Sequence, residues 1–284
     1  MIKNNIKIEQ NLFSQKIYEK KILIAAHRGV SGGNIIGNTI PGFYAALQFG
    51  ADIIEFDVVK STDGVFYVYH DGTEAYYLRI NQNLKNMTSK EIDRLHYYNS
   101  ADFYSEFGIT KLDDVLEEFA GKILMNIDRA WDIFPELLDK LDQFNIKDQI
   151  LLKSRVRKNV LSFFNEDHRN YMFMPIIKDY DHIALTLSYK NINMVGMELV
   201  TPTQNSRLFG DETVQQIKKR GLFAWVNSIT FNDQHILYGG LDDNTSIIEG
   251  PEKGWGALID KGFDIILTDW PGLLRAYRKE RIGV

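Results

Sequence analysis

The sequence predicts an α/β protein, a (β/α)8 barrel of the TIM type with a small insertion after its second strand. Short apolar runs of strand character recur through all 284 residues, with amphipathic stretches between them. One adjacent pair of runs is separated only by residues 60–64, whereas a parallel crossover takes a dozen or more. That pair therefore reads as an antiparallel hairpin. Setting aside its returning arm leaves eight strands, most followed by a helix, which is the barrel pattern.

The strand runs fall at residues 22–26, 53–59, 65–70, 122–127, 150–153, 171–177, 194–199, 222–226 and 265–268. Helical periodicity fits residues 41–48, 112–119, 133–144, 211–220 and 272–278. Thr39 stands before Ile40-Pro41 as a cap, and Asp211-Glu212 opens a helix that closes at Gly221. Asp63-Gly64 is a good turn pair, and a turn near Thr62-Asp63 brings His70 back level with residues 55–57. Residues 71–110 are weakly periodic and too long for an ordinary loop, so a small cap over the barrel mouth is expected there. It sits within a single domain over residues 1–284. The basic cluster Arg155-Val156-Arg157-Lys158 reads as a solvated helix start.

Apolar residues make up 44% of the chain, enough for a large core. Net charge is −5, and the 33 basic and 38 acidic residues are interspersed, so no face is built for a nucleic-acid backbone. The chain has no cysteine, which excludes disulfides, thiolate metal sites and thiol nucleophiles. Residues 1–10 lack the apolar segment of a secretory leader, and no stretch approaches the roughly 18 apolar residues of a membrane span. The expectation is a soluble, cytoplasmic chain, although one trimmed of a leader would read the same. Its partner is expected to be a small molecule.

Glu55 and Asp57 lie two apart on one strand and so share a face. Two carboxylates inside an apolar strand are costly to bury without positive charge. A hard divalent cation would supply it, as would a pair of structural salt bridges. His27 ends the first strand and His70 ends the hairpin, at the rim where barrel enzymes place their chemistry. Two imidazoles near neutrality can act as proton donor and acceptor in one reaction, and Arg28 offers a planar fork suited to phosphate. Together these residues suggest displacement at phosphorus. Asp128 closes another strand as a third candidate ligand, and Glu198 is either a further ligand or a partner for Lys153. Lys153 either neutralises a phosphate oxygen or snorkels. Trp225 either walls the pocket or packs the barrel. His96, His168, His182 and His235 stand in polar contexts and read as incidental.

The ordered set His27-Arg28-Gly29, Asn38-Thr39, Gly50 to Val58, Thr62-Asp63-Gly64 and His70-Asp71 resembles the start of the glycerophosphodiester phosphodiesterases. These belong with the phosphatidylinositol-specific phospholipase C-like barrels. The similarity continues through Leu112 to Leu116, Asn126-Ile127-Asp128, Ala224-Trp225-Val226-Asn227 and Gly262 to Pro271. The resemblance implies catalytic roles for His27 and His70, and phosphate contact for Arg28. It also implies Ca2+ or Mg2+ held by Glu55, Asp57 and Asp128. Lys153 and Trp225 join Arg28 as substrate-side candidates. The implied reaction is hydrolysis of a glycerophosphodiester to glycerol 3-phosphate and an alcohol. Three positions depart from the family: Gly37 where Glu is usual, Asp128 where Glu is usual, and Ala130 where Lys is usual. They leave open a different head group, of inositol or sphingolipid type, and a barrel that binds phosphate ligands without turnover. Arg129 and Lys153 are the candidates to replace the missing positive charge.

Overall fold

A computed structural model describes residues 12–232 and 234–284, with side chains described from residue 15 onward. Residues 1–10, expected to carry no leader, lie outside the described residues. Among those described, the strands are β1 (Leu23–Ala26), β2 (Ile53–Lys60), β3 (Phe66–Val68), β4 (His96–Tyr98), β5 (Tyr104–Gly108), β6 (Leu124–Asp128), β7 (Ile150–Arg155), β8 (Met172–Ile177), β9 (Gly196–Leu199), β10 (Phe223–Asn227) and β11 (Ile265–Thr268). Nine of them form one sheet in the order β1-β11-β10-β9-β8-β7-β6-β2-β3, and a β1–β2 pairing closes the ring. Eight strands thus make the closed parallel barrel, with β3 attached antiparallel to β2.

The hairpin forms where the short spacing requires it. Val58 pairs with Val68, Val59 with Tyr67 and Lys60 with Phe66. Gly64 takes the turn at φ +90°, a conformation that costs glycine little. The Asp63 carboxylate accepts from Ser61 Oγ (2.7 Å) and from the Ser89 amide (2.7 Å) and hydroxyl (2.6 Å). Those hydrogen bonds hold its pKa down, to about 2.

The chain divides into two compact units. One comprises Ala25–Ser154 and Asp269–Gly272. Its helix Ile40–Gln48 starts at Thr39, whose hydroxyl accepts from the Gly42 amide at 3.3 Å, with Pro41 in the first turn. Its helix Leu112–Phe119 buries Leu112, Val115, Leu116 and Phe119, the spacing of one helical face. Within residues 71–110 lie two one-turn helices, Glu74–Tyr77 and Ser89–Ile92, and the β4–β5 pair. Leu84, Met87, Ile92, Tyr97 and Ile109 of this segment pack with Val59, Tyr67 and Tyr69 as one cluster.

The other unit comprises, among the described residues, 12–24, 155–268 and 273–284. Its core gathers Ile177, Met197, Leu199, Val214, Val226, Leu258, Ile266 and Leu274. The cluster at 155–158 leads into the helix Lys158–Glu166, with Arg155, Arg157 and Lys158 exposed as its solvated start requires. No helix among the described residues is long and apolar enough to cross a membrane.

Candidate active site

Strand β1 is buried throughout, and His27 is the first residue beyond it. His27 Nδ1 lies 2.8 Å from Asp269 Oδ1, and Asp269 is likewise the first residue beyond β11. Burial disfavours the imidazolium of His27. The hydrogen bond and charge of Asp269, helped by Glu55, outweigh that and raise its pKa above the ordinary histidine value.

Arg28 follows with a left-handed backbone, φ +54°. Its amide donates to Glu55 Oε2 at 2.9 Å, and its Nε forms an ion pair with Asp57 Oδ2 at 3.1 Å. Glu55 and Asp57 are both buried on β2. The parallel register sets Glu55 opposite Asn126 and Asp57 opposite Asp128 of β6. Asn38 Nδ2 donates to Asp57 Oδ2 at 3.0 Å. Asp128 Oδ1 accepts from the Arg129 amide (2.7 Å) and Trp131 Nε1 (2.9 Å).

The hairpin returns His70 to this level, as its spacing predicts. The Tyr69 amide donates to the Asp57 carbonyl at 3.0 Å, and Thr73 Oγ1 donates to the His70 carbonyl at 2.7 Å. His70 is half-buried, and its Nδ1 is buried without a hydrogen-bond partner among the described residues. Burial pushes its pKa down, against the pull of Asp57, and the charges of Arg28 and Arg129 push it further. The field of Arg28 therefore reaches both imidazoles.

The three carboxylates can be tested as a cation site by their chemistry. Burial raises Glu55 to about 8, and Asp57 and Asp128 push in the same direction. This cluster is short of positive charge even with Arg28 and His27 beside it, the deficit that a hard divalent ion relieves. Glu55 Oε1 and Asp57 Oδ1 accept no hydrogen bond among the described residues, so each keeps an oxygen for a ligand. Their side chains do not, as they stand, converge into a three-ligand group among the described residues. The donor set fits a cation in type and charge.

Lys153 lies on β7, one residue beyond the pair Ile127–Leu152, and is 1% exposed. Trp225 and Glu198 belong to the other unit, where they are register partners on β10 and β9, and Asn227 Nδ2 donates to Glu198 Oε1 at 3.2 Å. Four residues that sequence inspection gave no role now have contacts at the site: Asn38, Asp71, Trp131 and Asp269. Asp269 had a usable signal, since it ends a barrel strand at the functional rim. The others are tied to the site by tertiary contacts that no spacing rule reveals.

A profile of the Glycerophosphoryl diester phosphodiesterase family matches residues 27–269. A glycerophosphodiester phosphodiesterase of Bacillus altitudinis is 32% identical over 270 residues, covering 90% of this chain and 98% of the relative. One from Caldanaerobacter subterraneus subsp. tengcongensis is 32% identical over 167 residues, covering 58% of this chain and 60% of the relative, so that match spans less than two thirds of its length. A solved phosphodiesterase of Oleispira antarctica, in complex with the product sn-glycerol-3-phosphate, superposes with a TM-score of 0.67. It is 18% identical, with 89% of this chain and 95% of that one covered.

Proposed function

Because the chain belongs to the glycerophosphoryl diester phosphodiesterase family, we propose that it hydrolyses a glycerophosphodiester to glycerol 3-phosphate and an alcohol, with His27 and His70 as acid and base. The observation that carries the proposal is the pair His27–Asp269 in the same unit as His70, with both imidazoles in the field of Arg28. The product named for the Oleispira antarctica structure supports glycerol 3-phosphate as the product here.

Glu55, Asp57 and Asp128 would hold a divalent cation, Ca2+ or Mg2+, which when bound supplies charge neutralisation at a non-bridging phosphoryl oxygen. Arg28 binds another phosphoryl oxygen, braced by Asp57 so that its fork needs little ordering. His70, disfavoured as an imidazolium, accepts a proton from the attacking water, whose oxygen bonds to phosphorus as the bond to the alcohol oxygen breaks. His27, whose protonated form Asp269 favours, donates to the departing alkoxide oxygen. Lys153 and Trp225 remain substrate-side candidates, to be tested by substitution to Met and to Phe.

The experiment is hydrolysis of bis(p-nitrophenyl) phosphate, then of a panel of glycerophosphodiesters with detection of glycerol 3-phosphate, each with Ca2+, Mg2+ or chelator. Turnover abolished by chelator and restored by one cation is the expected result. No hydrolysis of any diester under any of these conditions would overturn the proposal.

A further inference from the structure

Arg28 and Arg129 are built alike. Each directly follows a side chain of the site, His27 in one case and Asp128 in the other. Each takes a left-handed backbone that non-glycine residues seldom adopt, at φ +54° and +56°. Each has its Nε beside one carboxylate oxygen, Arg28 in an ion pair with Asp57 (3.1 Å) and Arg129 in a hydrogen bond to Asp71 (2.8 Å). An uncommon backbone conformation persists where surrounding contacts over-determine it, and such conformations cluster at functional sites. Here the contacts are in view. The Arg129 amide donates to Asp128, its guanidinium lies 5.7 Å from the Trp131 ring centroid, and Trp131 is itself bonded to Asp128. Asp71 is held from its other oxygen by Lys85 at 2.7 Å.

The side chain of Arg129 is 31% exposed, so its guanidinium reaches solvent. Asp71, which orients it, is the residue after His70. The terminal Nη groups of Arg129 take no acceptor among the described residues. A guanidinium braced through Nε and open at both Nη atoms presents the fork that grips two oxygens of one phosphate. We propose that Arg129 is the second phosphate-binding guanidinium of this site, paired with Arg28 beside His70 and positioned by Asp71. The assignment rests on the phosphodiesterase reading above for its substrate, although anion binding by Arg129 can be measured without turnover.

The test is calorimetric titration of the full-length protein with inorganic phosphate, for wild type, Arg129→Met, Arg129→Lys and Asp71→Asn, with thermal midpoints measured alongside. Losing one charge-assisted fork weakens phosphate binding about tenfold in Arg129→Met. Arg129→Lys, which keeps the charge but not the fork, falls between the two. Asp71→Asn raises KM for the diester more than it lowers kcat, because it loosens the fork and leaves both imidazoles in place. Unchanged phosphate affinity in Arg129→Met overturns the assignment, as does a wild type that binds no phosphate. Should Arg129→Met fail to fold, Arg129→Lys carries the test, and an affinity equal to wild type overturns the fork. If the wild type binds phosphate through Arg129 yet hydrolyses no diester, the hydrolase reading falls and the arginine assignment stands.

Discussion

His27 Nδ1 and Asp269 Oδ1, 242 positions apart in the sequence, meet at 2.8 Å. The carboxylate stabilises the imidazolium and fixes which ring nitrogen faces away from it. His27 is therefore raised in pKa, and as the proton donor it is active below that value and lost as pH rises through it. Asp269→Asn removes the raising partner, so the basic limb of the profile of kcat/KM against pH moves to lower pH. At pH 8, activity falls roughly tenfold or more. A profile whose basic limb does not move would show that His27 is not the donor. Asp269→Glu, which keeps the charge, should recover part of the shift.

Substitution of either histidine by Ala removes one proton-transfer partner and should lower kcat roughly 10²-fold or more. The two variants separate by substrate. A diester with a p-nitrophenolate leaving group needs little protonation, so His27→Ala recovers most of its rate there, whereas His70→Ala does not. Equal losses on both substrates would reverse or dissolve the assignment of acid and base.

The strand pattern was legible because a barrel strand is a short apolar run with fixed neighbours. The β2–β3 hairpin follows from five intervening residues alone, and that spacing brings His70 level with residues 55–57. The helices Lys158–Glu166 and Asp181–Ser188 were not among those read from periodicity. The first begins among basic residues, and the second carries polar Thr186 on its buried side, so neither shows a clean apolar stripe. The segment 71–110 has no long period because its helices are single turns and its strands, β4 and β5, span three and five residues. Glu55, Asp57, His27 and His70 stood out as polar groups in apolar surroundings. Asp71 sits among other polar residues, and for Asp269 the strand end marks the rim but only the fold supplies its partner, His27.

Asp243 offers a contrast, a buried carboxylate with a structural task. Its Oδ1 accepts from Ser228 Oγ (2.7 Å), Thr268 Oγ1 (2.7 Å) and Trp255 Nε1 (2.9 Å), all within the unit of Arg155–Thr268. Asp243→Ala removes the acceptor these buried groups share; Ser228 Oγ can turn to the Leu267 carbonyl at 2.9 Å, and each donor left unsatisfied costs about 1–3 kcal/mol before relaxation. The thermal midpoint should fall by more than about 5 °C, given roughly 2–4 °C per kcal/mol for a chain of this order of size. At a temperature where the variant is still folded, KM should change less than twofold. A large KM change without loss of stability would place Asp243 in the substrate machinery instead.

Glu55 ties stability to pH and to metal in one measurement. Burial, then Asp57 and Asp128, raise its carboxyl from 4.5 to about 8 in the folded chain. Between those values the folded state holds a proton that the unfolded state has released, so stability decreases as pH rises across that window. Below about 4.5 both states are protonated and the Glu55 contribution is level. The thermal midpoint of metal-free wild type should thus fall from pH 5 to pH 8 relative to Glu55→Gln, whose side chain does not titrate. A divalent cation that binds only the ionised carboxylates should reverse the loss, stabilising wild type more at pH 8 than at pH 5. It should have little effect on Glu55→Gln. Parallel pH curves for wild type and Glu55→Gln, unchanged by millimolar Ca2+ or Mg2+, would show that Glu55 neither stays protonated nor takes a cation.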